Sequence, residues 1–177
     1  MNLTTTYIII IIIILLLIFC ITKYDHYCKN KKLENLPTLD TRNGCMVYPN
    51  IYLGNAKFAS DIDLLKSLGI THIINAAIET PNYFTEFKYL HLEMYDDPQE
   101  NAKRYFQTSK QFIDDALHNN GKVLIHCWAG ISRSTTILTY YLMKTLNISL
   151  EEALKIIRKC RPIANPNYGF IKQLQTI

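Results

Sequence analysis

The stretch from Val123 to Leu146 constrains this chain more than any other. Val123-Leu124-Ile125 is an apolar strand. It runs into His126-Cys127-Trp128-Ala129-Gly130-Ile131-Ser132-Arg133-Ser134, and a helix-forming segment, Thr135 to Leu146, follows at once. A buried strand, a tight loop and a helix in succession form one half of a parallel βαβ unit. In such a unit the backbone N–H groups of the loop and the helix N-terminus are free to bind an anion. Gly130 permits the sharp curl that a ring of inward-facing amides requires.

The rest of the chain fits that unit. Asn50 to Gly54 reads as a short strand, and Ser60 is placed to cap a helix over Asp61 to Leu68 that Gly69 closes. Ile70 to Ala77 is apolar throughout and reads as a buried strand; Tyr89 to Met94 alternates and reads as another. Apolar or small residues at 102, 105, 106, 109, 112, 113, 116 and 117 have helical spacing, ended by Gly121. Ser149 and Glu152 form a capping box for a helix to about Cys160, and a short helix spans Asn167 to Gln175. The alternation predicts an α/β fold: a single domain over residues 45–177, with a mostly parallel central sheet flanked by helices on both faces. Its ligand site is expected beyond the carboxyl ends of the strands.

The N-terminus is different in kind. Ile8 to Ile21 is 14 residues without a polar side chain, and Leu3 to Thr22 reaches 20, about the length that crosses a bilayer. No Lys or Arg precedes the run and no small-residue cleavage site follows, which disfavours a secretory signal peptide. The absence of a polar face disfavours a buried core helix. Residues 1–22 are therefore expected to form a transmembrane helix, with membrane contact through residues 7–21. Residues 23–44 form a juxtamembrane tether. Lys23, Lys29, Lys31 and Lys32 follow the span, so the domain is expected to face the cytosol as a single-pass membrane protein. The five cysteines, Cys20, Cys28, Cys45, Cys127 and Cys160, show no C-x-x-C pair and no zinc spacing. That scatter argues against a zinc site and a disulfide framework and for a reducing compartment, and no cofactor is expected. The net charge of +4 is spread along the chain, so no nucleic-acid footprint is expected.

The chemistry follows from the loop. The field that draws in a phosphate also favours a thiolate at Cys127, a nucleophile able to take a phosphoryl group covalently. Arg133, six residues on, offers a planar fork for two phosphate oxygens. Ser134 is assigned to stabilising the departing thiolate, and His126 to orienting the loop by a hydrogen bond. The backbone of Trp128, Ala129, Gly130, Ile131, Ser132 and Arg133 would bind the phosphate. A lone Cys is ordinarily a buried structural residue, and C-x5-R by itself is weak. The strand before, His126, Gly130, Ser134 and the helix after are what raise it. Hydrolysis also needs a general acid on a loop near the nucleophile, and Asp96-Asp97-Pro98 supplies two carboxylates after a strand.

These segments resemble the dual-specificity protein phosphatases of the cysteine-based superfamily. The resemblance rests on Ile51 to Ala56, Leu68 to Ala76, Tyr105-Phe106, Phe112 to Asp114, Val123 to Ser134, Tyr141 to Met143, Arg158, Arg161 and Pro166 to Phe170. It implies a cysteinyl-phosphate route acting on phosphotyrosine and phosphoserine/phosphothreonine in phosphorylated proteins, without a metal. It implies that Asp96, five residues before Asn101, is the acid, and that Arg161 lies near the pocket facing a second phosphate. Two other readings compete. One is a phosphatase for phosphoinositides or RNA 5′ ends; the resemblance implies Lys within the loop for phosphoinositide substrates, and here Trp128, Ala129, Ile131 and Ser132 are neutral, which weighs against heavily charged substrates. An inactive phosphoprotein-binding module would lack the nucleophile, the arginine or the acid, and all three are present.

Overall fold

The computed structural model describes residues 42–177. The span expected over residues 1–22 lies outside the described residues, and among the described residues no helix is long and apolar enough to cross a membrane.

Five strands form one mixed sheet: β1 (Gly44–Tyr48), β2 (Ile51–Gly54), β3 (His72–Asn75), β4 (Lys88–His91) and β5 (Val123–His126), in the order β1-β2-β5-β3-β4. β2, β5, β3 and β4 are parallel, and β1 joins β2 antiparallel at the edge. The expected sheet is thus mostly parallel, with an edge strand the sequence reading does not contain. β1 is short and its ladder shifts register between Met46 and Tyr48, so its side chains show no clean alternation. Residues 42–44, which the sequence assigns to the tether, already contact the domain: the Asn55 N–H donates to the Asn43 carbonyl at 2.9 Å.

Six helices complete the described region: α1 (Ala56–Ala59), α2 (Ile62–Leu68), α3 (Lys103–His118), α4 (Arg133–Leu146), α5 (Leu150–Cys160) and α6 (Tyr168–Leu174). Asp61, not Ser60, caps α2, its carboxylate accepting from the Leu64 N–H at 3.0 Å; Gly69 ends it at φ 72°. The Ser149–Glu152 capping box opens α5 as its spacing predicts. Period-two alternation divides the sheet. Ile51, Leu53, Ile74, Val123 and Ile125 join the core shared with α3 to α6. The alternate residues Tyr52, Leu124 and Ile73 lie in register and are also buried, on the side of α1 and α2. Burial on both faces explains why β3 and β5 read as continuous apolar runs.

Cys45 and Cys160 are joined by a disulfide, with Cα atoms 6.2 Å apart. This corrects the expectation of unpaired thiols. A separation of 115 residues leaves no trace in sequence spacing, and the contact exists because the end of α5 packs on β1. Cys127 is the free cysteine among the described residues.

Candidate active site

β5 ends at His126, and the chain turns through residues 127–132 into α4. The outer side of this loop is fully tied down. The Trp128 carbonyl accepts from the Ala56 N–H (3.0 Å), and the Ile131 carbonyl accepts from the Asn165 N–H (2.8 Å). The Ala129 and Gly130 carbonyls accept from Arg161 Nη2 (2.8 Å) and Nε (2.6 Å), and the Ser132 carbonyl from the Thr136 N–H and hydroxyl, both at 2.9 Å. A trans peptide directs its N–H opposite to its carbonyl. Five consecutive outward carbonyls therefore turn the N–H groups of Ala129 to Arg133 inward. Gly130, at φ 66°, allows the curl, and its N–H donates to Cys127 Sγ at 3.2 Å. A Cβ there would meet the Gly54 carbonyl oxygen at 2.5 Å and Arg161 Nη2 at 2.7 Å. The result is a concave anion nest with the buried Cys127 sulfur at its floor.

Ser134 Oγ lies 3.2 Å from that sulfur. Arg133 is buried at the loop's end. Its Nη1 and Nη2 donate to the two carboxylate oxygens of Glu79 (2.6 and 2.5 Å), and Nη1 also donates to the Met94 carbonyl (3.2 Å). Desolvation alone would pull its pKa down. The Glu79 bond and the charges of Cys127, Glu79 and Asp96 outweigh it and hold the guanidinium above its ordinary value. The same bond lowers the Glu79 pKa. Arg133 Nε is buried without a hydrogen-bond partner.

The structure brings Asp96, and not Asp97, to this loop. Asp96 Oδ1 accepts from Ser132 Oγ at 2.6 Å and from Asn167 Nδ2 at 2.9 Å, and Oδ2 is 3.8 Å from Arg133 Nε. Asp97 instead closes its own turn, accepting from the Gln99 N–H at 2.7 Å. The Asp96 loop and the phosphate loop meet because β3, β4 and β5 are parallel neighbours whose carboxyl ends leave the sheet on one side.

Two expected roles are corrected. Arg161 does not face outward toward a second phosphate: it is buried beneath the loop, its Nη1 donating to the Arg42 carbonyl at 3.2 Å. Burial lowers its pKa, with the Cys127 charge acting the other way. It aims the loop dipoles. His126 makes no orienting hydrogen bond; neither ring nitrogen has a partner. Burial pushes its pKa down to about 4. The Cys127 backbone pulls the other way from outside hydrogen-bonding geometry, so the ring is neutral at physiological pH.

Two residues escape the sequence reading. Glu79 stands in a turn-like Glu-Thr-Pro-Asn stretch. It reaches Arg133 because buried Asn75 staples that loop, accepting from Thr80 Oγ1 (2.6 Å) and donating to the Thr80 carbonyl (2.8 Å). Asn167 is legible as the cap of α6, its side chain accepting from the Phe170 N–H at 3.0 Å. Its second bond, to Asp96, spans 71 residues and has no local signal.

Residues 51–177 match the family model of the dual specificity phosphatase catalytic domain. Dual specificity protein phosphatase 1 of Arabidopsis thaliana is 38% identical over 145 residues, 81% of this chain and 70% of that protein. Human dual specificity protein phosphatase 9 is 37% identical over 131 residues, covering 72% of this chain and 34% of that one. The chain spans 34% to 61% of the length of the human and Xenopus laevis relatives it matches. Among solved structures, DUSP15 has a TM-score of 0.74 at 38% identity, covering 76% of this chain and 86% of that chain.

Proposed function

The chain belongs to the dual specificity phosphatase family, and from that premise we propose that it hydrolyses phosphotyrosine and phosphoserine/phosphothreonine in proteins through a cysteinyl-phosphate. The observation that carries this reading is the state of Arg133. Glu79 and Met94 hold its outer nitrogens, and its Nε is a buried donor without a hydrogen-bond partner, its nearest carboxylate oxygen being Asp96 Oδ2 at 3.8 Å, beside a nest of inward amides. A phosphate oxygen would satisfy that donor. An ordinary buried arginine would not be left so, because an unmet donor costs about 1–3 kcal/mol.

The mechanism follows from the contacts. Phosphate oxygens lie against the loop amides and Arg133 Nε, with phosphorus in line with Cys127 Sγ. The thiolate forms the S–P bond as the P–O bond to the side chain breaks. Protonated Asp96 gives its proton to the leaving oxygen, which departs as the alcohol or phenol. A water then loses a proton to Asp96 and attacks phosphorus; the S–P bond breaks, inorganic phosphate leaves, and Ser134 Oγ donates to the departing thiolate. Ser132 and Asn167 position Asp96 for both steps.

Residues 1–22 anchor the domain to a membrane, with the domain in the cytosol. The support is the apolar run followed by Lys23, Lys29, Lys31 and Lys32. Reducing conditions there keep the Cys127 thiol available as a nucleophile. Partition into membranes, and degradation of the domain by protease added to the cytosolic side, test the anchor.

Turnover of phosphopeptides by the wild type, with Cys127→Ser inactive yet still retaining phosphopeptide, tests the enzymatic reading. Full activity of Cys127→Ser would overturn it.

A further inference from the structure

Six large hydrophobic side chains are exposed among the described residues: Ile78, Tyr95, Trp128, Ile163, Tyr168 and the terminal Ile177. Singly exposed apolar residues are ordinary on protein surfaces. Their placement here is not. Ile78 precedes Glu79, which holds Arg133; Tyr95 precedes Asp96; Trp128 follows Cys127. Tyr168 follows Asn167, which holds Asp96, and Ile163 is two residues from Asn165, whose N–H pins the Ile131 carbonyl. Five of the six thus stand within two residues of a group that touches the phosphate loop or its acid: Ile78, Tyr95 and Trp128 on three separate loops, and Ile163 and Tyr168 on the segment that leads into α6. Neighbouring Cα atoms are about 3.8 Å apart, so each of these exposed side chains starts within about 8 Å of a group that touches the phosphate loop or its acid.

The charges between them select the occupant. Glu79, Glu93, Asp96 and Asp97 are interspersed with the apolar residues. The two arginines nearest the nest are committed, Arg133 to Glu79 and Arg161 to the underside of the loop. Lys172 Nζ lies 5.5 Å over the Tyr168 ring; around Ile78, Tyr95, Trp128 and Ile163 an apolar rim carrying carboxylates suits neither an anionic membrane surface, which calls for Lys and Arg between the aromatics, nor acidic residues beside the phosphate. Beyond Tyr168 the rim opens into a cleft between residues 98–103 and α6, and Lys103 and Lys172 stand in it, so the exclusion of acidic groups applies to the immediate neighbours of the phosphate.

We infer that these side chains form a collar round the mouth of the nest, a specificity surface for an extended phosphopeptide whose residues flanking the phosphorylated side chain are large and apolar. The inference rests on the phosphatase reading above and adds the substrate class to it. Flanking side chains lie down on Tyr95, Trp128 and Ile163 while the phosphate enters the nest.

The test uses the full chain and three probes: a small activated aryl phosphate, and two phosphotyrosine peptides differing in Leu or Glu on either side of the phosphotyrosine. The wild type should show about tenfold higher kcat/KM on the Leu-flanked peptide. The double variant Tyr95→Ser/Ile163→Ser should lose that preference and keep its rate on the aryl phosphate, which also shows that it is folded. Equal rates on the two peptides, with the aryl phosphate turned over, overturn the collar. Anionic phosphoinositide vesicles turned over faster than either peptide, and lost in the double variant, also overturn it and give the rim to lipid. If the aryl phosphate is not hydrolysed, the phosphatase reading fails by itself. Peptide affinity by fluorescence polarisation then still reads the collar: about tenfold tighter binding with Leu flanks supports it, and equal Kd values overturn it.

Discussion

Gly169→Ala should disable the general acid while leaving the nucleophile intact. Gly169 lies in the first turn of α6, at a backbone conformation any residue adopts, and alanine in place of glycine favours a helix by about 1 kcal/mol. The penalty is purely one of contact. A Cβ at this position would overlap the Pro98 carbonyl oxygen, with the Pro98 C and Cα atoms both at 2.6 Å. Ordinary carbon–carbon contact is about 3.5–4.0 Å, so Pro98 or α6 has to retreat by about 1 Å. Pro98 is two residues after Asp96, and Asn167, which holds Asp96 at 2.9 Å, is the cap of α6. Either retreat stretches that hydrogen bond to about 3.9 Å, beyond bonding range. A 1 Å misplacement of a catalytic group costs about 100-fold. The assay is kcat on a phosphoserine peptide and on an activated aryl phosphate, whose leaving group needs little protonation. The first should fall about 100-fold and the second by no more than a few-fold. Equal losses on both substrates, or wild-type rates on both, would refute the placement of the acid on this loop.

Other consequences are open to measurement. Arg161→Met strips the Ala129 and Gly130 carbonyls of their donors, at about 1–3 kcal/mol for each unmet group. Its KM should rise on every substrate, singly and doubly phosphorylated alike, and selective loss on doubly phosphorylated peptides would restore an outward-facing role. His126 ties stability to pH. Its pKa falls from 6.5 unfolded to about 4 folded, so its contribution is full above pH 6.5 and is lost as pH drops toward 4. That amounts to about 3 kcal/mol over the window. Urea melts at pH 7 and pH 5 should differ more for wild type than for His126→Leu; identical differences would remove His126 from the account. Reducing Cys45–Cys160, which closes a loop with a separation of 115, should lower Tm on the order of 10 °C. Calorimetry with and without reductant, against Cys160→Ser, checks it.

What the sequence determined by itself was whatever is local. Val123-Leu124-Ile125, the glycine curl at Gly130 and the following helix are contiguous, so strand, nest, nucleophile and Arg133 are readable in order along the chain. Capping signals at Asn167 and in the Ser149–Glu152 box, and the period of α3, are likewise set by neighbours within a few residues. Tertiary structure decided everything that depends on residues meeting from far apart. It set Asp96 against Ser132, brought Glu79 to Arg133, turned Arg161 under the loop and joined Cys45 to Cys160. Hydrogen bonds and ion pairs act over about 3 Å in space, and separations of 31 to 115 residues along the chain carry no periodicity that a one-dimensional pattern can register.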